Sequence, residues 1–228
     1  MSESLNGQLA ELHAERVRTW APEALKVNVE QRQTLVEQAR HEQFVRAGDV
    51  LAPFELLGVD GDVLDSTGLL ANGPLVLVFF RFAGCPACNI ALPYYQRQLQ
   101  PALQARGATL VAVSPQVPER LVEIRQRHAL TLQVASDPDN RLARRLGILY
   151  SFDDASRKAS LASGRTIGEV TGTGTWELPQ PTVVVLGSDG RVQFAEVSPD
   201  WLVRTEAQPI IDAVDALLAH PAQAARRA

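Results

Sequence analysis

Leu75-Val76-Leu77-Val78-Phe79-Phe80-Arg81-Phe82-Ala83-Gly84-Cys85-Pro86-Ala87-Cys88 is the stretch that decides the fold. Its first six residues are all apolar, as a strand covered on both faces requires. Ala83-Gly84 then turns the chain, and Pro86 suits the first turn of a helix, where a missing N–H costs nothing. The reading is a buried strand, a tight turn and a helix that opens on two cysteines.

That placement has a chemical meaning. Only a deprotonated cysteine sulfur attacks, and a free cysteine is mostly protonated at neutral pH. A helix N-terminus offers unpaired N–H groups and a partial positive charge, which both favour the anion. Cys88 falls one helical turn beyond Cys85, on the same face. Cys85 is therefore expected to be the outer, attackable sulfur, and Cys88 the more buried one that closes a disulfide.

Other uses of the pair have weaker support. A structural disulfide at this spacing closes almost no loop and barely constrains the unfolded chain. A zinc site needs further ligands, yet these are the only cysteines, and His13, His41, His128 and His220 are scattered singly. Haem attachment needs a histidine after the second cysteine, where Asn89 stands. Two inert core cysteines remain as the plain alternative.

At 228 residues the chain holds one α/β domain plus an appendage. A formal net charge of −4 argues against a nucleic-acid partner, and the short Arg226-Arg227 tail does not change that. Leu5 to Arg18 is mixed and charged, unlike a signal peptide, and no apolar run is long enough to span a membrane. A single reactive cysteine pair fits a reducing cytoplasm. No phosphate loop or paired metal carboxylates are evident, so neither a cofactor nor a metal is expected.

Residues 1–48 read as a helical extension. Leu5, Leu9 and Leu12 recur at helical spacing, as do Leu25, Val29, Val36 and Ala39 after Pro22, with Gly48 as the stop. This pair either packs on its own domain or forms a dimerisation arm, which makes a homodimer a candidate partner. Residues 49–220 read as the main domain. A hairpin turns at Asp60-Gly61, and the helix after Cys85 carries Leu92, Tyr95, Leu99 and Leu103, kinked by Pro93 and ended by Gly107. Strand Thr109–Val113, a helix from Pro118, a strand near Leu132–Val134 and a helix capped by Asp137-Pro138 follow. Residues 153–178 read as an insertion, helical near Ala155–Ala162 and then looped. Thr182–Leu186 and Val192–Val197 form a hairpin, Ile210, Val214 and Leu217 mark a last helix, and 221–228 is a frayed tail. The alternation indicates an α/β sheet layered by helices, with Cys85 at a strand's carboxyl end, where such sheets bind ligands.

These residues together resemble the thioredoxin fold, in which a proline facing the dithiol is cis; Pro181 is the matching position. The fuller resemblance is to the peroxiredoxin-like branch of the alkyl hydroperoxide reductase/thiol-specific antioxidant family. It is carried by Gly73-Pro74, Phe79-Phe80-Arg81, Cys85-Pro86-x-Cys88-Asn89, Ser114-Pro115-Gln116, Ser136-Asp137-Pro138, Leu178-Pro179-x-Pro181-Thr182 and Asp200-Trp201-x-x-Arg204. It implies a thioredoxin-like α/β fold with a central mixed sheet flanked by helices. It also implies an antioxidant peroxidase, reducing hydrogen peroxide or alkyl hydroperoxides through a Cys85/Cys88 cycle. The partners would be the peroxide and a thioredoxin- or glutathione-type reductant.

Two positions differ from the family pattern. Where members carry Thr or Ser three residues before the attacking cysteine, this chain has Phe82, and Pro181 replaces an arginine ahead of the next strand. Arg81 and Arg204 are the candidates to stabilise the thiolate and a leaving alkoxide instead. The same departures keep a thiol–disulfide oxidoreductase as the alternative activity. A redox-responsive binding protein without turnover is a third reading.

Overall fold

A computed structural model describes residues 3–164 and 166–219. Helices α1 (Leu5–Thr19) and α2 (Pro22–Glu37) lead into β1 (Glu55–Gly58), β2 (Val63–Asp65) and α3 (Ser66–Ala71). The central strand β3 (Leu75–Phe79) precedes α4 (Pro86–Gln98), α5 (Gln100–Gln104), β4 (Thr109–Ser114), α6 (Pro118–Arg127) and β5 (Gln133–Ser136). Then come α7 (Arg141–Arg145), β6 (Leu149–Ser151), α8 (Asp154–Ala162), α9 (Ile167–Thr171) and β7 (Glu177–Pro179). Strands β8 (Thr182–Leu186) and β9 (Val192–Val197) and helix α10 (Ala207–Ala219) complete the order. The 221–228 tail, including Arg226-Arg227, lies outside the described residues.

Seven strands form one mixed sheet in the order β2-β1-β5-β4-β3-β8-β9. β3, β4 and β5 are parallel, joined by α4–α5 and by α6, while β8, β9, β1 and β2 add antiparallel neighbours. All five residues of β3 are buried, and the pleat sends alternate ones to opposite faces. Val76 and Val78 join the core under α1, α4, α6 and α10, with Leu5, Leu9, Leu92, Tyr95, Leu121 and Ile210. Leu75, Leu77 and Phe79 join the core under α3 and α7, with Leu69, Leu142 and Leu146. This is the doubly covered sheet that the apolar run requires. At the base of β3, Gly73 is left-handed (φ +130°), and a side-chain carbon there would collide with the Gly107 carbonyl oxygen. The close approach sets β3 beside β4, where Thr109 N–H donates to the Pro74 carbonyl at 2.9 Å.

Several local expectations are corrected. The second N-terminal helix stops at Glu37, well before Gly48, which instead forms a left-handed turn (φ +96°). The helix after Cys85 runs through Pro93 to Gln98 and breaks at Leu99. Pro101 lacks the N–H that would continue the ladder and disfavours helical geometry just before it. Asp137 caps α7 rather than a turn starting at Pro138, accepting from Leu142 N–H and Ala143 N–H at 2.9 and 2.8 Å. The 153–178 segment is more ordered than expected. Thr166 and Glu169 form a capping box for α9, and β7 pairs with β6.

Helix α1 packs on the domain itself. Leu5 and Leu9 are fully buried against the α4 side of the core. Glu206 caps the N-terminus of α1 from the far end of the chain, accepting from Leu5 N–H (3.0 Å), Asn6 N–H (2.9 Å), Ser4 Oγ (2.9 Å) and Tyr94 Oη (2.8 Å). Burial alone would raise its pKa, but the amides of Asn6 and Leu5 outweigh that and hold the carboxyl below its ordinary value. The anchor is therefore at full strength above the ordinary carboxylate pKa and weakens as pH falls through the depressed value. Replacing Glu206→Ala leaves several donors without a partner. We expect a loss of about 2 kcal/mol in denaturant unfolding, with faster hydrogen exchange in α1.

Candidate active site

Strand β3 ends at Phe79, and residues 80–85 carry the chain from the sheet to α4. The turn is fixed by side chains from three elements. Gln116 accepts from Ala83 N–H (2.8 Å) and donates to the Val170 carbonyl (2.9 Å), and Ser114 Oγ donates to the Arg81 carbonyl (3.1 Å). Asn89 Nδ2 donates to the carbonyls of Ala83 (2.7 Å) and Cys85 (2.8 Å), with His128 and Arg127 on its Oδ1. Cys85 occupies the N-cap of α4 in extended geometry, and Cys88 lies three positions on.

The two cysteines are free thiols and both are buried, with Cys85 1 % exposed and Cys88 fully covered. The outer, attackable Cys85 that was expected is thus covered: Leu5 and Leu9 of α1, with Trp201 and Leu202, belong to the same buried cluster as the two cysteines. Each sulfur faces one arginine. Arg81 Nη1 stands 3.9 Å from Cys85 Sγ, and Arg204 Nη2 stands 3.6 Å from Cys88 Sγ. Arg81 and Arg204 are themselves buried.

The environment drives the two thiols apart. The Cys88 thiol, hydrogen-bonded to Cys85, holds Cys85 well below the ordinary cysteine pKa; burial opposes this, and Arg81 and Arg204 reinforce it. The Cys88 amide adds least, and the Cys85 side chain accepts no capping hydrogen bond. Helix-end amides are thus a minor cause of the acidity that the sequence pattern assigns to them. Burial, with the Cys85 sulfur beside it, pushes Cys88 well above the ordinary value. One thiolate and one thiol is the arrangement a dithiol needs for attack followed by closure.

Pro181 lies one residue beyond the Phe79–Thr182 pair and lines, with Arg204 and Tyr95, a narrow crevice behind the site. Its peptide bond is trans, like every other among the described residues, which corrects the cis expectation. The strand approach explains this. Gln180 N–H donates to the Ile148 carbonyl (2.8 Å) and the Pro181 carbonyl accepts from Ser198 N–H (2.8 Å), drawing the chain straight into β8. The β6–β7 ribbon that holds it brackets the 153–178 segment expected to be an insertion, β6 preceding it and β7 closing its end.

Four contributors escaped the sequence reading. Trp201 belongs to a quoted motif but is placed by the fold at the centre of the site, with the Arg81 guanidinium 4.6 Å from its ring centroid. Arg16 of α1 and Arg32 of α2 reach the same ring, each at 5.6 Å. Arg32 also pairs with Asp200 at 2.9 Å. In the sequence Arg16 and Arg32 look like ordinary charges on helix surfaces; only Arg16 being one turn past Leu12 hints that it turns inward. Tyr150 of β6 adds a buried ring 5.8 Å from Arg81, its phenol pushed up to about 12 by burial. No cluster of His, Cys, Asp and Glu suited to a metal ion is found among the described residues, and no described helix is long and apolar enough to cross a membrane.

This geometry can be set beside known proteins. No curated protein matches the sequence. Among solved structures, peroxidoxin BcpB from Mycobacterium tuberculosis superposes with a TM-score of 0.59 at 19% identity, covering 76% of this chain and 98% of its own. A peroxiredoxin-like protein from Aquifex aeolicus gives 0.59 at 14% identity, covering 76% and 88%. The yeast mitochondrial 1-Cys peroxiredoxin gives 0.57 at 14% identity, covering 78% of each. These likenesses show the thioredoxin-like fold of peroxiredoxins. The AhpC/TSA family model matches residues 47–195, well over half of the chain and including both cysteines. The chain accordingly belongs to the AhpC/TSA family, whose members are thiol-dependent, peroxide-reducing oxidoreductases.

Proposed function

We propose that the protein reduces hydroperoxides through a dithiol cycle in which Cys85 attacks and Cys88 resolves. The observation that carries this reading is the paired geometry of the sulfurs. Arg81 sits 3.9 Å from Cys85, Arg204 sits 3.6 Å from Cys88, and the two thiols are driven to opposite protonation states.

In the first step the Cys85 thiolate attacks the terminal peroxide oxygen. An S–O bond forms and the O–O bond breaks, giving a Cys85 sulfenic acid while the alkoxide takes up a proton and leaves as alcohol or water. Arg81 stabilises the thiolate and then the developing alkoxide. In the second step the Cys88 sulfur attacks the sulfenic sulfur, an S–S bond forms and water departs. Arg204 eases this step by favouring the Cys88 thiolate against its burial. Two electrons from an external thiol then restore the dithiol by exchange. A thioredoxin- or glutathione-type donor suits this step, as for the yeast 1-Cys protein, whose thiol resolves via glutathione/thioredoxin systems. With both sulfurs covered, the α1–α2 side has to loosen for either partner to enter. Disulfide exchange with other proteins is the competing use of the same pair, and the trans Pro181 removes one reason for preferring it.

Peroxide treatment of Cys88→Ser should accumulate a dimedone-reactive sulfenate on Cys85, seen by mass spectrometry, while Cys85→Ser should consume peroxide only at background rate. Rapid insulin reduction without peroxide consumption would instead favour the exchange reading. Arg81→Met should slow Cys85 oxidation by about tenfold to a hundredfold in stopped flow.

The pH dependence follows from the direction of the Cys85 shift. A depressed thiol pKa means that the rate of Cys85 oxidation holds as pH falls through the ordinary cysteine pKa, and declines only below the depressed value. Cys88→Ala removes the largest source of that depression. Its thiolate absorbance and rate profile should therefore both move to higher pH.

A further inference from the structure

The interior around Trp201 holds more positive charge than the protein neutralises. The guanidinium carbons of Arg81, Arg16 and Arg32 lie 4.6, 5.6 and 5.6 Å from one indole centroid. Arg32 is matched by the two Asp200 oxygens at 2.9 and 3.2 Å, and Arg81 by the Cys85 sulfur. Arg16 has no such match. It is 4 % exposed, and its Nη1 is buried with no hydrogen-bond partner. Arg81 Nε and Arg32 Nε are likewise buried without partners, Arg81 being 7 % exposed.

Buried guanidinium donors without acceptors are costly, and three gathered around one indole point to an anion. Their planar forks match a carboxylate, and the indole between them suits a short hydrocarbon. Burial lowers the Arg16 pKa, Arg32 and Arg81 lower it further, and the Cys85 charge works against them. Arg16 is thus a cation held beside other cations, favoured by the Cys85 charge, by Glu15 and by the Trp20 ring 4.8 Å away, and with no hydrogen-bond acceptor at its Nη1.

Resting on the peroxidase reading above, we propose that Arg16, Arg32 and Arg81 on Trp201 form a carboxylate site, which selects short hydroperoxides that carry an anionic group. Arg81 is shared between this site and Cys85, and Arg16 lies no farther from it than the sum of their distances to the indole. The carboxylate and the O–O bond are therefore only a few bonds apart in the ligand that fits, which excludes a long acyl chain between them. A small molecule also suits a covered thiol better than a bulky one. Arg16 and Arg32 precede residue 47, where the family match begins, so this selectivity is a property of the added helices.

The test uses two probes of one shape, tert-butyl hydroperoxide and its carboxylated analogue β-hydroperoxyisovalerate. The wild-type protein should prefer the carboxylated probe by about tenfold or more in kcat/KM. Arg16→Met should bring the ratio of the two values close to one, through KM for the carboxylated probe, and Arg16→Lys should keep part of the preference. No preference in the wild type, or an equal loss for both probes in Arg16→Met, overturns the site. Calorimetric titration with the unreactive β-hydroxyisovalerate separates the two readings. Arg16-dependent binding without turnover of either peroxide sinks the peroxidase and keeps the carboxylate site, and no binding to the wild type sinks the site.

Discussion

A thiolate inside a protein survives only where donors and cations replace the water it has lost, and Cys85 meets that condition through Arg81 and the Cys88 thiol. Much of the surrounding architecture follows from holding those groups in place. Arg81 lies two residues past the end of β3, so its position is set by a fully buried strand of the sheet. Arg204 is set by the segment that the N-terminal helix clamps, through Asn6 at its backbone N–H (2.9 Å) and carbonyl (2.8 Å). Cys88 follows from the helical turn that Pro86 begins. The charge on each sulfur therefore depends on these three supports together.

The arginines also explain how the site manages without the residues that usually occupy two of its positions. Phe82 stands where a hydroxyl is usual, and it carries no polar hydrogen to offer a peroxide. Its ring instead packs 5.7 Å from the Arg81 guanidinium, so it helps to aim the cation. Pro181 stands where an arginine is usual, and Arg204 reaches the same neighbourhood from the chain's later segment. The positive charge near the dithiol thus comes from the Asp200–Glu206 segment and not from the start of β8.

Most of the fold was legible because its signals are local. Six apolar residues before the dithiol, Asp60-Gly61 between two short strands, and Pro118 at a helix start each act within a few positions. The misreadings came where distant groups decide. Pro101, not Pro93, breaks the helix, because only its location coincides with the turn back toward β4. The trans bond at Pro181 depends on partners at Ile148 and Ser198. Cys85 and Cys88 were legible as a pair at the start of a helix, but their burial was not, since nothing in the amphipathic pattern of α1 and α2 says which surface they cover. Arg16 and Arg32 were invisible for the same reason. A charged residue on a helix reads as solvated until tertiary structure turns it inward.

The cap that Glu206 places on α1 joins residues 201 positions apart. During synthesis the first helix leaves the ribosome long before its carboxylate partner exists, so Leu5 and Leu9 have to wait with their apolar faces uncovered. The sheet and the cysteine turn are translated in the interval, and the cover closes only when the last segment emerges. Until then the two cysteines lack the cover that Leu5, Leu9 and Trp201 give them in the folded chain.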